Sequence, residues 1–299
     1  MGAAVATIAL SAAAAVGTAA AGVSATDHGK VQVVAAENFW GNITQQLGGN
    51  DVSVTSLITN PNADPHLFET DAADAAKLAQ ARVIIENGAN YDDWMHQLLG
   101  ADSGHPTVVT AASVLHITGS DPNPHLWYDI PRVPLVAAAI SNALARADPA
   151  GAANFRSRLS TFDASLKSID AVLSTIRSQF AGAPVAYTER VPGYALTAAH
   201  LSVKTPVGFA RAVEDGVDPG PADTLAMQAL LTGHRIDVLL YNVQTVTPVT
   251  TQIRALASKN KVQIIGVSET MPRGDSYQSW QLSQLTNLLH ALQRATGRT

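Results

Sequence analysis

The chain contains no cysteine, which removes disulfides, thiolate metal ligands and thiol nucleophiles together. Histidine, aspartate and glutamate remain as strong ligands for a transition metal. Attachment of a lipid to an N-terminal cysteine is excluded within this sequence. Aromatic residues are scarce, at 5% of the chain, so a broad aromatic pocket for a large organic ligand is hard to build. Charge is sparse as well: charged residues make up 14%, with a net charge of −5 and a pI near 5.9. There is no basic patch for nucleic acid, and nucleic-acid binding is not expected. Gly-x-Ser-x-Gly, P-loop and His-Glu-x-x-His patterns are absent, which weakens serine-hydrolase, nucleotide-hydrolysing and zincin readings.

What is present starts with a charge-free, alanine-rich stretch over residues 1–26. Val5, Ile8, Leu10 and Val16 make it apolar, and Val23-Ser24-Ala25 fits a small-residue cleavage site, so an export segment is expected. It has no cationic start, so a true start upstream is the expectation for a signal; an uncleaved membrane anchor is the alternative. Either predicts an exported protein, periplasmic or cell-envelope associated on the outer side of the cytoplasmic membrane. No later segment approaches transmembrane length.

With 299 residues, two domains are the default. From residue 31, short β-rich runs (31–36, 52–58, 82–86, 107–110) alternate with helical ones (39–47, 72–81, 133–147). The pattern resumes with strands over 184–188, 236–242 and 262–267 and helices over 194–199, 222–232, 248–258 and 276–295. This alternation predicts an α/β protein with parallel sheets covered by helices, and ligand loops at the carboxyl ends of strands. Between the halves, Phe155, Leu159, Phe162, Leu166, Ile169, Leu173, Ile176 and Phe180 form one apolar stripe at alternating spacings of four and three. A continuous helix over 154–181 follows, with a length of roughly 42 Å. A coiled-coil dimer would show the same stripe, but the flanking α/β patterns favour an intramolecular helix and a monomer. The expected organisation is an N-terminal lobe over 27–150, a linking backbone helix over 151–182 and a C-terminal lobe over 183–299.

Two Pro-His dipeptides stand in short polar loops: Asn60-Pro61-Asn62-Ala63-Asp64-Pro65-His66 and Asp121-Pro122-Asn123-Pro124-His125. Proline holds the preceding residue extended and removes a donor, so each imidazole sits on a stiff arm suited to a metal ligand. A single copy reads as ordinary turn chemistry; two in similar surroundings, 59 residues apart, suggest half of a metal site. Two carboxylates answer for the other half. Glu189 directly follows the strand over 184–188, and Asp275 lies beyond the strand over 262–267, beside Gly274 and before Ser276, which can open the last helix.

These segments resemble the substrate-binding proteins of zinc and manganese ABC importers, the ZnuA/TroA-like family. Asp64-Pro65-His66 with Phe68-Glu69 is similar to its first-ligand loop, and Asn87-Gly88 with Trp94 to its Asn-Gly and Trp segment. Asn123-Pro124-His125-Leu126-Trp127-Tyr128-Asp129 is similar to its second-ligand motif, the most specific match. Glu189 with Gly193-Tyr194, and Gly274-Asp275-Ser276-Tyr277, resemble the third- and fourth-ligand segments. The resemblance implies two α/β lobes joined by a long helix and one divalent ion, Zn²⁺ or Mn²⁺, held in the cleft by His66, His125, Glu189 and Asp275. It also implies delivery to an ABC permease and no enzymatic activity.

Two features depart from the family. Only His105 and His116 stand where zinc-dedicated members carry a His-rich loop, and the N-terminal cysteine used by lipid-anchored members is missing. Glu189, at a position the family fills with histidine or glutamate, resembles the manganese-type members and adds a hard oxygen, which leans slightly to manganese, while the greater intrinsic affinity of zinc leaves geometry and supply to decide. A metallohydrolase using the same residues, or a siderophore- or cobalamin-type receptor, are the alternatives.

Overall fold

The computed structural model describes residues 1–2, 29–62, 65–99 and 105–298. The expected export segment and Asp64 of the first Pro-His loop lie outside the described residues. No helix among the described residues is long and apolar enough to cross a membrane.

The first lobe is built from β1 (Val31–Glu37), α1 (Asn38–Gly48), β2 (Val52–Ile58), α2 (Ala72–Leu78), β3 (Val83–Glu86), α3 (Trp94–Leu99), β4 (Thr107–Thr110), α4 (Ala111–Val114) and α5 (Val133–Ala147). Its strands pair in parallel in the order β2-β1-β3-β4. The inner strands are continuous apolar runs: all of β3 is buried, as expected where helices cover both faces of a sheet.

Next come α6 (Ala152–Ser165) and α7 (Lys167–Phe180). The second lobe comprises β5 (Pro184–Tyr187), α8 (Gly193–Ala198), β6 (Ser202–Val203), α9 (Val207–Glu214), α10 (Pro221–Thr232), β7 (Val238–Asn242), α11 (Pro248–Lys259), β8 (Gln263–Val267) and α12 (Tyr277–Thr296). Its parallel order, β6-β5-β7-β8, repeats that of the first sheet. This is the two-lobed α/β fold that the alternation predicts. The short elements α3, α4, β6 and α9 are additions to that reading, since runs of two to eight residues carry too little periodicity to register.

The linking segment differs in one respect from a single helix: it breaks at Leu166. There the Ser165 hydroxyl donates to the Phe162 carbonyl at 2.6 Å, and the Leu166 amide turns to Asp163, the kind of side-chain intrusion that interrupts a helical ladder. Leu166 itself keeps helical dihedrals, so the apolar stripe stays aligned. Phe155, Phe162, Leu166, Ile169, Ile176 and Phe180 are all buried.

One core cluster draws residues from both lobes, from α5 to α7 and from α12. Phe39 of α1 stacks on Trp127 with ring centroids 4.1 Å apart and lies 6.2 Å from Trp280 of α12. Polar ties cross the same seam: Tyr128 Oη donates to the Ser268 carbonyl at 2.7 Å, and Asn38 exchanges hydrogen bonds with the backbone of Met271. The carboxyl ends of the two sheets are thereby held facing one another.

Candidate metal centre

Four side chains converge where the lobes meet: His66, His125, Glu189 and Glu269, each offering one ligand atom within 4.8 Å of the others. His66 Nε2 lies 3.4 Å from Glu189 Oε1 and 3.3 Å from Glu269 Oε2. His125 Nε2 lies 3.4 Å from Glu269 Oε2 and 3.9 Å from Glu189 Oε1. Donors about 2.0–2.1 Å from a common centre at tetrahedral angles are separated by about 3.3–3.4 Å, so three of these four spacings match a single shared ion. His125 Nε2 and Glu189 Oε1 are buried and make no hydrogen bond, a costly state that a bound cation would relieve.

Of the sequence-predicted site residues, His66, His125 and Glu189 come together and Asp275 does not. Asp275 is half-buried, and its Oδ1 accepts from Ser279 Oγ at 3.1 Å in the first turn of α12. The reason is distance along the loop. Glu189 stands two residues beyond the end of β5 and Glu269 two beyond the end of β8, whereas Asp275 is eight beyond β8 and next to Ser276, the N-cap of α12. A signal for Glu269 was available, because each apolar strand runs straight into a hydroxyl residue and then glutamate, as Thr188-Glu189 and Ser268-Glu269.

Each imidazole is fixed by its own loop. Pro65 opens a 3₁₀ turn through Leu67, and Phe68 packs on Trp94 at 4.8 Å. The His66 ring meets Tyr91 edge-on at 5.0 Å. In the second loop Asn123 Oδ1 accepts from His125 Nδ1 at 2.7 Å and from its backbone N–H at 3.1 Å. The orientation of the Asn123 amide follows from its Nδ2, which donates to the Arg190 carbonyl at 2.9 Å. A proton on Nδ1 leaves the Nε2 lone pair of neutral His125 facing the cluster. Asn87 Nδ2 holds the Pro124 carbonyl at 2.8 Å. The neighbouring Gly88 takes φ +71, where an added Cβ would lie 2.7 Å from Thr110 Cγ2, so this position favours glycine.

The carboxylates are held from outside. Asn242 Nδ2 donates to Glu189 Oε2 at 2.6 Å and to Glu269 Oε1 at 2.8 Å, and Tyr91 Oη donates to Glu269 Oε2 at 3.0 Å. Burial opposes charge on His66, but Glu189 and Glu269 outweigh it and raise its pKa to about 11. Burial acts against ionisation of Glu269 too, yet His125 and His66 pull it well below the usual carboxylate range. Glu189 is pushed upward by burial and then by the charge of Glu269. Three of the four groups are almost fully buried, while the His66 side chain keeps 20% of its surface. It borders a cleft of about 150 Å³ also lined by Asn90, Asp121, Arg190 and Arg211.

The family model described as zinc-uptake complex component A, periplasmic, matches residues 33–291. The manganese-binding lipoprotein MntA of Bacillus subtilis is 29% identical over 161 residues, 52% of this chain and 52% of that protein. The iron-binding protein YfeA of Yersinia pestis is 27% identical over 150 residues, 48% of each. The chain spans about half the length of the curated relatives it matches. Among solved structures, the periplasmic zinc-binding protein TroA from Treponema pallidum superposes with a TM-score of 0.76 at 19% identity, covering 89% of this chain and 99% of that one. That likeness establishes the fold. The three names carry three different metals.

Proposed function

Because the chain belongs to the family of periplasmic zinc-uptake complex component A, we propose that it is an exported, non-enzymatic receptor that captures one divalent transition-metal ion and hands it to an ABC import permease. The observation that carries this reading is the inward convergence of two imidazoles and two carboxylates drawn from opposite lobes. The proposed ligands are His66, His125, Glu189 and Glu269. An ion held by donors of both lobes bridges them, so its presence is coupled to their apposition. His66, with the one partly exposed side chain of the four, is the point of entry and exit.

A hydrolytic reading lacks support, because a catalytic ion keeps a coordination position open and here four buried donors surround one point. A siderophore or cobalamin needs a pocket of several hundred Å³, whereas the cleft beside His66 holds about 150 Å³.

The test is metal analysis with titration calorimetry on the purified protein. Alanine at His66, His125, Glu189 or Glu269 is expected to lower affinity by more than the about 10–100-fold typical of outer partners, and Asp275→Ala to leave it unchanged. Unchanged affinity in the four variants, or loss in Asp275→Ala alone, rejects the ligand set.

A further inference from the structure

Glu189 follows β5 and Glu269 follows β8, and β7 lies between those strands in the sheet. Its last residue, Asn242, is fully buried. It therefore stands between the two carboxylates, with its single amide nitrogen 2.6 Å from Glu189 Oε2 and 2.8 Å from Glu269 Oε1. The amide is itself fixed: its Oδ1 accepts from the Gln244 N–H at 3.1 Å, Thr245 Oγ1 lies 2.9 Å from Nδ2, and the Asn242 backbone N–H donates to Thr188 Oγ1 at 3.0 Å. The outer oxygen of each glutamate is thus occupied, while one oxygen of each faces the imidazoles.

We infer that Asn242 sets the metal preference of this site, by holding both glutamates to one donor oxygen each and so limiting the ion to four protein ligands. The inference rests on the receptor reading above and adds the choice of ion. Four donors, with three of the four imidazole–carboxylate spacings at 3.3–3.4 Å, suit Zn²⁺, whose d¹⁰ shell imposes no geometry and whose protein sites are commonly four-coordinate. Mn²⁺ favours six mostly oxygen donors. With Asn242 in place, reaching six from the protein would require the outer oxygen of each glutamate to turn from Asn242 Nδ2 to the ion, giving up the hydrogen bonds at 2.6 and 2.8 Å that fix both carboxylates. The preference for manganese suggested by donor identity alone is thereby reversed by donor geometry.

Two measurements test this. Wild-type protein loaded with Co²⁺ is expected to show the intense visible d–d absorption of a four-coordinate ion, and Zn²⁺ to displace Mn²⁺ readily in competition. In Asn242→Ala the glutamates are free to chelate. The Co²⁺ bands should weaken, and the Zn²⁺-over-Mn²⁺ preference should narrow by about 10–100-fold, the size of an outer-partner effect. A weak, six-coordinate-type Co²⁺ spectrum in the wild type overturns the inference whether or not the variant folds. So does a folded Asn242→Ala protein with unchanged bands and preference. If the wild type retains none of Zn²⁺, Mn²⁺ or Co²⁺, the receptor reading itself fails.

Discussion

The two lobes share one strand order yet hold their halves of the site by opposite chemistry. The first presents imidazoles on proline-stiffened loops; the second presents carboxylates two residues past strand ends and pins them with a neutral amide. The polar layer beneath differs in the same sense. In the first lobe Asp92 accepts from the backbone N–H groups of Asn87 and Gly88 at 2.6 and 2.7 Å, beside the buried acids Glu37 and Glu86. In the second lobe the equivalent task falls to Gln244, whose Oε1 accepts from the N–H groups of Glu269 and Thr270 at 2.5 and 3.0 Å. Among the described residues, no carboxylate beyond the pair itself acts on Glu189 or Glu269, and a further one would raise their pKa in a low-dielectric interior. The lobe that supplies imidazoles tolerates acids beneath.

This opposition gives the largest predicted effect. In the metal-free protein His66 lies between the carboxylates of the other lobe with its pKa raised to about 11, so at neutral pH it is an imidazolium that a metal must deprotonate. Its raised pKa stabilises the metal-free fold fully below the unfolded value near 6.5, and that contribution disappears as pH rises through about 11. Metal binding follows the reverse course. Calorimetry in buffers of different ionisation enthalpy should show release of about one proton per ion near neutral pH, and affinity should fall about a hundredfold from pH 8 to pH 6. Affinity independent of pH over that range would mean that the two halves do not pair through His66.

A smaller effect separates the two asparagines. Asn123 in the first lobe fixes the tautomer of His125 and ties its loop to the Arg190 carbonyl; it acts on one ligand's orientation and not on the number of donors. Asn123→Ala is expected to weaken Zn²⁺ and Mn²⁺ alike, by about 10–100-fold, in direct contrast to the altered preference expected for Asn242→Ala. Competition titrations on both variants read the difference. A changed metal preference in Asn123→Ala would erase the distinction drawn between the lobes.

Much of this arrangement was legible in the residues. Apolar runs of four to seven residues alternating with helical periodicity marked the long elements of both sheets, because burial on two faces leaves a continuous signal. His66 and His125 were marked by their prolines, and Glu189 by its place directly after a strand. The break at Leu166 was not legible, since it depends on where the Ser165 hydroxyl points while the stripe continues unchanged. The turn residues Pro272, Arg273 and Gly274 mark the far end of the loop, where Asp275 serves the start of α12, whereas no turn residue marks Glu269. The role of Asn242 depends on β7 lying between β5 and β8, a fact of sheet order that no local pattern carries.

The smallest predicted effect probes the layer beneath the first lobe. Glu37 is 1% exposed and lies within hydrogen-bonding reach of the buried Asp92 carboxylate. Burial, and then the neighbouring Asp92 and Glu86, hold its pKa well above the usual carboxylate value; burial also lifts Asp92 to about 6, against the pull of its two backbone donors. A carboxyl with a raised folded-state pKa favours the fold in its protonated form. Its cost is absent below the unfolded pKa near 4.5 and grows as pH rises above it. Glu37→Gln keeps the shape and removes the charge, so at pH 7.5 the melting temperature should rise, by about 2 °C for each kcal/mol of burial cost removed in a chain of this length. The gain should vanish near pH 4, where the wild-type carboxyl is already neutral. Metal affinity should not move, because Glu37 is outside the proposed ligand set. Destabilisation of equal size at both pH values would instead show that the first lobe needs this carboxylate for its packing or hydrogen bonding, and the contrast between an acidic and a neutral underlayer would lose its energetic meaning.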